Sequence, residues 1–220
     1  MKKIFVFILT LAIVCNVAGV SSRELFTDVP EDSWAADYIY NLVDRGIVGG
    51  YGDGTFGPES YVLRCEYAKM LVNIAGIEIV NSATTPYTDV AVNEWYFPFI
   101  TSATPMTGYS IDGHLYFKPE DAATREDVTV AMVKALGVDG SQYSDPTGYL
   151  AARFSDWEEI STHNRAYITA AVDKGVITGD MSYDGGLGTF RPHDPIIRAE
   201  IVAVLYRAFP DGNNVQANPL

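Results

Sequence analysis

The hydrophobic positions of this chain recur in two registers. Counting from Arg64, Arg125 and Arg198, positions +3, +4, +7 and +8 are Tyr67, Ala68, Leu71 and Val72, then Val128, Thr129, Met132 and Val133, then Ile201, Val202, Leu205 and Tyr206. This spacing lays an apolar stripe along one face of an α-helix, with Thr129 its one polar lapse. A second helical pattern precedes the first and third stripes. Ile39, Leu42 and Val43 follow Trp34 and end at Gly46; Ile168, Ala171 and Val172 end at Gly175. Glycine at those positions suits a left-handed C-terminal cap. The middle copy brackets a short helix between Pro98 and Pro105. Proline fits the first turn of a helix and stops a later one. Stretches of turn composition, residues 49–54 and 179–186, separate the helices of the first and third copies.

Fixed punctuation ties the helices into three copies of one unit. Each copy carries an aromatic two residues before an aspartate (Phe26 and Asp28, Tyr87 and Asp89, Phe154 and Asp156), then a Phe-x-Pro, then an arginine eight residues after that Phe. Units of this size cannot bury a hydrophobic face alone and must pack on their neighbours. The expected fold is mainly α: three helix-loop-helix repeats around a pseudo-threefold axis, the arginine-headed helices forming a central three-helix bundle. The repeats span residues 26–77, 87–138 and 154–209. Residues 78–86 and 139–153 read as linkers, and 210–220 as a C-terminal tail.

Residues 1–20 have the layout of a secretory signal peptide: Lys2 and Lys3, an apolar run from Ile4 to Val14, then Ala18 and Gly19. The run is shorter than the ~20 residues of a spanning helix, and Val14 before Cys15 is not the small residue of a lipoprotein signal. Loss of its two lysines would take the formal charge from −13 to −15. A body that acidic repels nucleic acid. Cys65 would then be the only cysteine left, so no internal disulfide is expected. Packing must hold the protein together.

The arginines carry the candidate chemistry. Each heads a helix, where a positive charge opposes the macrodipole, and each is followed by an acid two residues on: Glu66, Asp127 or Glu200. The acids sit where a capping argument wants them, and Thr124 with Asp127 forms a capping box. Leu63 and Ile197 hold the corresponding positions and cannot cap. Arg64, Arg125 and Arg198 together with unpaired helix-start N–H groups would form anion receptors. The competing role is a lock, each arginine pairing with its neighbouring acid or with the motif aspartate. Trp34 and Trp95 read as core anchors first and as flat platforms for a sugar ring second. Aligned on the following isoleucine, the third copy has His163 there instead. Metal binding and cofactors are not expected: Asp53-Gly54-Thr55 lacks the spacing of a calcium loop, and the three histidines are scattered. No nucleophile elbow or phosphate loop is present.

Phe26-Thr27-Asp28-Val29-Pro30 with Trp34-Ala35, the stretch from Gly46 to Phe56, Arg64-Cys65-Glu66, Thr124-Arg125-Glu126-Asp127 and Ile197-Arg198-Ala199-Glu200 resemble S-layer homology (SLH) repeats. The resemblance implies inter-repeat grooves that hold an anionic secondary cell wall polysaccharide attached to peptidoglycan, often bearing pyruvate ketals. By position it assigns ligand contacts to Asp28, Asp89, Asp156, Trp34, Trp95, Arg64, Arg125 and Arg198. The threonine before the arginine is missing in the first and third copies, the second has an eroded glycine segment, and the third lacks the tryptophan. One or two competent grooves are therefore expected, the first repeat having the most complete motif. The expected function is a secreted, non-catalytic anchor on the cell wall and cell surface, or on the periplasmic side of a two-membrane envelope. The alternative is a structural envelope protein acting mainly through contacts with other envelope proteins.

Overall fold

The computed structural model describes residues 26–180, 182 and 185–210. The expected signal peptide and nearly all of the expected tail lie outside these. Seven α-helices dominate the described residues: α1 Ala36–Asp44, α2 Arg64–Ala75, α3 Phe97–Ser102, α4 Arg125–Ala135, α5 Pro146–Ala151, α6 Arg165–Asp173 and α7 Arg198–Ala208. One small antiparallel hairpin, β1 Tyr109–Ile111 and β2 His114–Tyr116, occupies the middle copy. The fold is mainly α, as the periodicity predicts.

The arginine-headed helices meet at their N-termini through a closed circuit of backbone hydrogen bonds. Val62 N–H donates to the Ile196 carbonyl (3.1 Å), Ile196 N–H to Ala123 (3.0 Å), and Ala123 N–H to Val62 (2.8 Å). All three residues are fully buried, which puts a pseudo-threefold axis at this point. Around the ring the helix starts are plugged. The N–H groups of Arg64 and Cys65 donate to Asp121 and Pro119, those of Arg125 and Glu126 to Asp194 and Pro192, and those of Arg198 and Ala199 to Ser60 and Pro58. Each helix start is thus closed by carbonyls of another copy, the third returning to the first.

Helix packing follows the same rotation. α3 of the second copy packs on α2 of the first, α6 on α4, and α1 on α7. The helices of one copy are therefore not each other's main partners. α4 also packs against α2 and α7, and the Tyr67 hydroxyl on α2 donates to the Val128 carbonyl on α4 at 2.9 Å. Since the last helix is covered by the first, the ring closes within residues 26–210 and the body carries its own core.

Each motif aspartate clamps its own Phe-x-Pro turn. Asp28 accepts from Phe56 N–H and Gly57 N–H (2.8 and 2.7 Å), Asp89 from Phe117 and Lys118 (2.8 and 2.7 Å), and Asp156 from Phe190 and Arg191 (2.8 and 2.7 Å). The clamped phenylalanines are fully buried, against Phe26, Tyr87 and Phe154 at centroid distances of 5.4, 5.2 and 5.8 Å. One glycine per copy lets the motif aromatic in. A Cβ on Gly50 would strike the Phe26 ring and the Thr55 carbonyl; Gly108 and Gly179 stand likewise against Tyr87 and Phe154.

One stretch departs from expectation. Residues 139–153, read as a linker, hold a 3-10 turn at Gly140–Gln142 and the helix α5, started by Asp145, whose carboxylate accepts from Gly148 N–H at 2.8 Å. Fully buried Leu150 docks this insertion on the core beside α6. Six residues offer too short a run for periodicity to show.

Candidate functional site: three arginine seams

Each arginine crosses a seam in the same way. Arg64 Nε donates to the Phe117 carbonyl (2.8 Å), Arg125 Nε to Phe190 (2.8 Å) and Arg198 Nε to Phe56 (2.9 Å). Their carboxylate partners are Asp127, Glu200 and Glu66. Neither branch of the expected lock is found: the acid comes from another copy, and the motif aspartates are engaged elsewhere. Lysine could not hold a carbonyl and a carboxylate in one plane, which is why arginine stands here against the helix dipole. With relative exposures of 1%, 4% and 4%, the three guanidiniums are buried in the seams rather than displayed.

Two of the acids serve twice. Glu66 accepts from Leu63 N–H (2.9 Å) and Glu200 from Ile197 N–H (3.2 Å), while Thr124 Oγ accepts from Asp127 N–H (3.1 Å). Glu66, Glu200 and Thr124 thus cap as expected, but the capping box of Thr124 and Asp127 is only half made, because the Asp127 carboxylate turns to Arg64 and Tyr109; all three acids pair with an arginine of another copy. The expectation of unpaired N–H groups at the helix starts is overturned, because neighbouring carbonyls take the first two donors of each helix. What an anion can meet is the edge of a guanidinium.

The seams differ in how much of that edge is taken. At Arg64, Nη1 meets Asp127 at 2.7 Å and the Tyr109 hydroxyl at 3.2 Å, and that hydroxyl also donates to Asp127 at 3.1 Å. Burial, opposed by Arg64 and aided by Asp127, pushes the Tyr109 phenol up to about 12. The cleft left beside this cluster is about 20 Å³, room for about one water. At Arg125, Nη1 meets Glu200 at 3.0 Å, and Arg191 reaches the same carboxylate oxygen at 3.4 Å while also pairing with Asp180 (2.6 Å) and Asp194 (3.3 Å). Burial pulls Arg125 below its ordinary pKa against the pull of Glu200.

Arg198 is the open case. Its Nη2 donates to the Gly49 carbonyl at 2.8 Å, but Nη1 stands 4.0 Å from Glu66. The guanidinium lies over the rings of Tyr51 (4.8 Å) and Phe56 (4.6 Å). A cleft of about 230 Å³ opens beside it, lined by residues 47–51, Glu66, Lys69, Met70 and Trp95. Lys69 Nζ lies 5.8 Å from the Trp95 ring centroid. The residue after the motif Phe accounts for part of the difference. Gly57 (φ 71°) carries no side chain and lets Tyr51 lie against the backbone. Lys118 and Arg191 hold the same left-handed conformation (φ 58° and 55°) and send cations over Tyr109 and onto Glu200.

The tryptophans are a correction. Trp34 and Trp95 are 58% and 51% exposed, so neither is a core anchor. The core positions are taken by the residues that follow, Ala35 and Ala36 in the first copy and Tyr96 and Phe97 in the second. Sequence reading missed Tyr51, Tyr109 and Lys69. Gly50-Tyr51 and Gly108-Tyr109 share a register in the repeat and could have been found; Lys69 has no counterpart. Among the described residues no group of three or more His, Cys, Asp or Glu is placed to hold a metal ion, and no helix is long and apolar enough to cross a membrane.

Two stretches, residues 25–68 and 153–202, match the family model of the S-layer homology domain. The chain carries S-layer homology domains. The intervening SLH-like copy lies outside the matched stretches, yet it supplies the same aspartate clamp, arginine bridge and ring bond. The chain is 30% identical over 183 residues to the S-layer protein sap of Bacillus anthracis, covering 82% of this chain and 22% of that protein. It is 26% identical over 220 residues to the surface-layer 125 kDa protein of Lysinibacillus sphaericus (99% and 18%), and 29% identical over 199 residues to the exoglucanase XynX of Acetivibrio thermocellus (90% and 17%). The chain spans less than a quarter of the length of these relatives, so the likeness to a named enzyme concerns a small part of it. SLH domains occur in S-layer proteins as cell-wall anchoring modules.

Proposed function

We propose that this SLH body anchors to the cell wall by binding an anionic secondary cell wall polysaccharide attached to peptidoglycan, and that the cleft beside Arg198 receives it. The observation that carries this reading is the 4.0 Å gap between Arg198 and Glu66, where the other two seams close at 2.7 and 3.0 Å. Arg198 Nη1 and Lys69 supply positive charge in a half-enclosed cleft, where an anionic sugar substituent gains more than it would in open water. Trp95 and Tyr51 supply flat faces for the apolar side of a pyranose ring. In this role the module works outside the cytoplasmic membrane and performs no chemistry. Asp28, Asp89 and Asp156 act through the turns they clamp.

The test is sedimentation of residues 23–220 with cell-wall sacculi before and after the acid treatment that strips secondary polymers. Binding that disappears with the polymer, and that Arg198→Gln or Lys69→Ala weakens, supports the proposal. Equal sedimentation in both preparations overturns it. That result would favour the second reading, an envelope protein working through protein contacts, for which the exposed apolar side chains of Tyr109, Ile111 and Leu115 on the hairpin are the motivating surface.

A further inference from the structure

The middle copy departs from its neighbours in two ways at once. Residues 69–152 fall between the two stretches that match the SLH model, and within them lies the hairpin of β1 and β2, the one sheet among the described residues. Every residue from Tyr109 to Leu115 is exposed.

The two edges of this hairpin are not alike. Its turn residues Asp112 and Gly113 both have positive φ (50° and 80°), which suits a two-residue hairpin loop. The flanking pair, Ile111 and His114, then bonds inward, and the next pair, Ser110 and Leu115, points its N–H and carbonyl groups outward. On the β2 side the Leu115 carbonyl accepts from Thr88 N–H at 2.8 Å, so that edge is covered. On the β1 side, among the described residues, Ser110 makes no backbone bond outside the hairpin. Tyr109-Ser110-Ile111 is therefore an open edge, and it carries no lysine, proline or bulge to guard it.

The edge is complementary to itself. An antiparallel pair centred on Ser110 sets Tyr109 of each copy across from Ile111 of the other, apolar against apolar on one face. Asp112 of each copy then stands across from Gly108 of the other, beside Tyr109, over whose ring Lys118 Nζ lies at 4.9 Å. Acid and base thus meet twice about a two-fold axis, as an isologous contact requires. Net charge favours the same place. The chain carries −13, so two copies repel over most of their surface. Residues 107–118 hold one acid, Asp112, and one base, Lys118, which cancel.

We infer that β1 is a self-association edge, joining two copies of this chain into one four-stranded sheet in the order β2-β1-β1-β2. Strands of three residues bury far less than the ~1,200 Å² of a stable interface, so the contact is weak in free solution. Copies anchored side by side on one wall meet at an effective concentration in the millimolar range, which compensates for that weakness. The inference gives the protein-contact reading a definite partner. It does not need wall polymer and stands whether or not the cleft beside Arg198 binds any.

The test follows the amide resonances of 15N-labelled residues 23–220 from micromolar to millimolar protein, with no polymer present. The Gly108, Ser110 and Ile111 amides should shift together along one saturating curve, and Ile111→Lys should abolish the shift while the rest of the spectrum stays native. A second arm uses Ser110→Cys. Bonded antiparallel partners stand about 5.5 Å apart at Cα, within disulfide range. On oxidation this variant should form a disulfide dimer well ahead of Thr84→Cys, a control at an exposed position outside the hairpin. Buried Cys65 takes no part in either variant. Concentration-independent resonances at Ser110 and Ile111, or cross-linking no faster than in the control, overturns the inference. Hairpin shifts that appear only on adding solubilised wall polysaccharide would give the edge another occupant and overturn it equally.

Discussion

Arg198 and Glu66 face each other at 4.0 Å, the one motif pair of the three that does not make close contact. The buried pair Arg64 and Asp127, at 2.7 Å, predicts the contrasting cost. Arg64→Ala removes the partner of Asp127 and strands the carbonyls of Phe117 and Thr107, which together should cost about 3–5 kcal/mol in urea unfolding. Arg198→Ala should cost less and reduce wall sedimentation more, measured per folded molecule. Equal stability losses with equal binding losses would contradict the division of labour between the seams.

The aspartate clamp predicts a second loss. Asp89→Ala leaves the N–H groups of Phe117 and Lys118 without their acceptor, at about 1–3 kcal/mol for each group left unsatisfied. Asn keeps one acceptor oxygen and should recover roughly half. Hydrogen exchange at these two amides provides the readout; continued protection in the alanine variant would show that another group accepts them.

Close approach at Gly108 allows no side chain. Gly108→Ala drives a methyl group into the Tyr87 ring and the Tyr116 carbonyl. A drop of about 1–3 kcal/mol, the usual cost of overpacking, is expected. Gly113→Ala at the hairpin turn, where a Cβ meets no atom but φ is 80°, separates steric from conformational cost. A thermal melt on each variant should rank Gly108→Ala as the more damaging.

Stability should also fall in alkali. Burial, aided by the charges of Glu120 and Glu66, pushes the Cys65 thiol from 9.0 to about 12. A thiol raised in the folded state keeps its proton there while the unfolded chain releases it. Its contribution is therefore complete below pH 9 and lost as pH climbs towards 12. Tyr109 adds to the same slope from pH 10 upward. Cys65→Ala should flatten the pH dependence of the urea midpoint between pH 9 and 11. At pH 8 the native thiol should resist iodoacetamide and react once urea unfolds the chain; prompt native labelling would mean the helix start is open.

Much of this architecture can be read in the order of the residues. The stripes following Arg64, Arg125 and Arg198 become α2, α4 and α7, because burial on one face at 3.6-residue spacing suits little else. The trio Phe26, Asp28 and Phe56 marks the clamp before its bonds are seen. Non-equivalence of the seams is harder to read. It rests on what fills the residue after the motif Phe, Gly57, Lys118 or Arg191, and on where those side chains travel across a boundary between copies. The exposure of Trp34 and Trp95 was hidden for a related reason. Helical spacing places each indole at a helix start, but which side of that start meets a neighbour depends on the rotation of the whole ring.

The circuit of Val62, Ile196 and Ala123 has a mechanical consequence. Because the final helix is stapled to the opening copy, tension entering at either terminus cannot peel the copies off one after another. It must shear several backbone bonds of a dry axis together. A body so joined yields at a higher force than three beads on a string, and yields all at once.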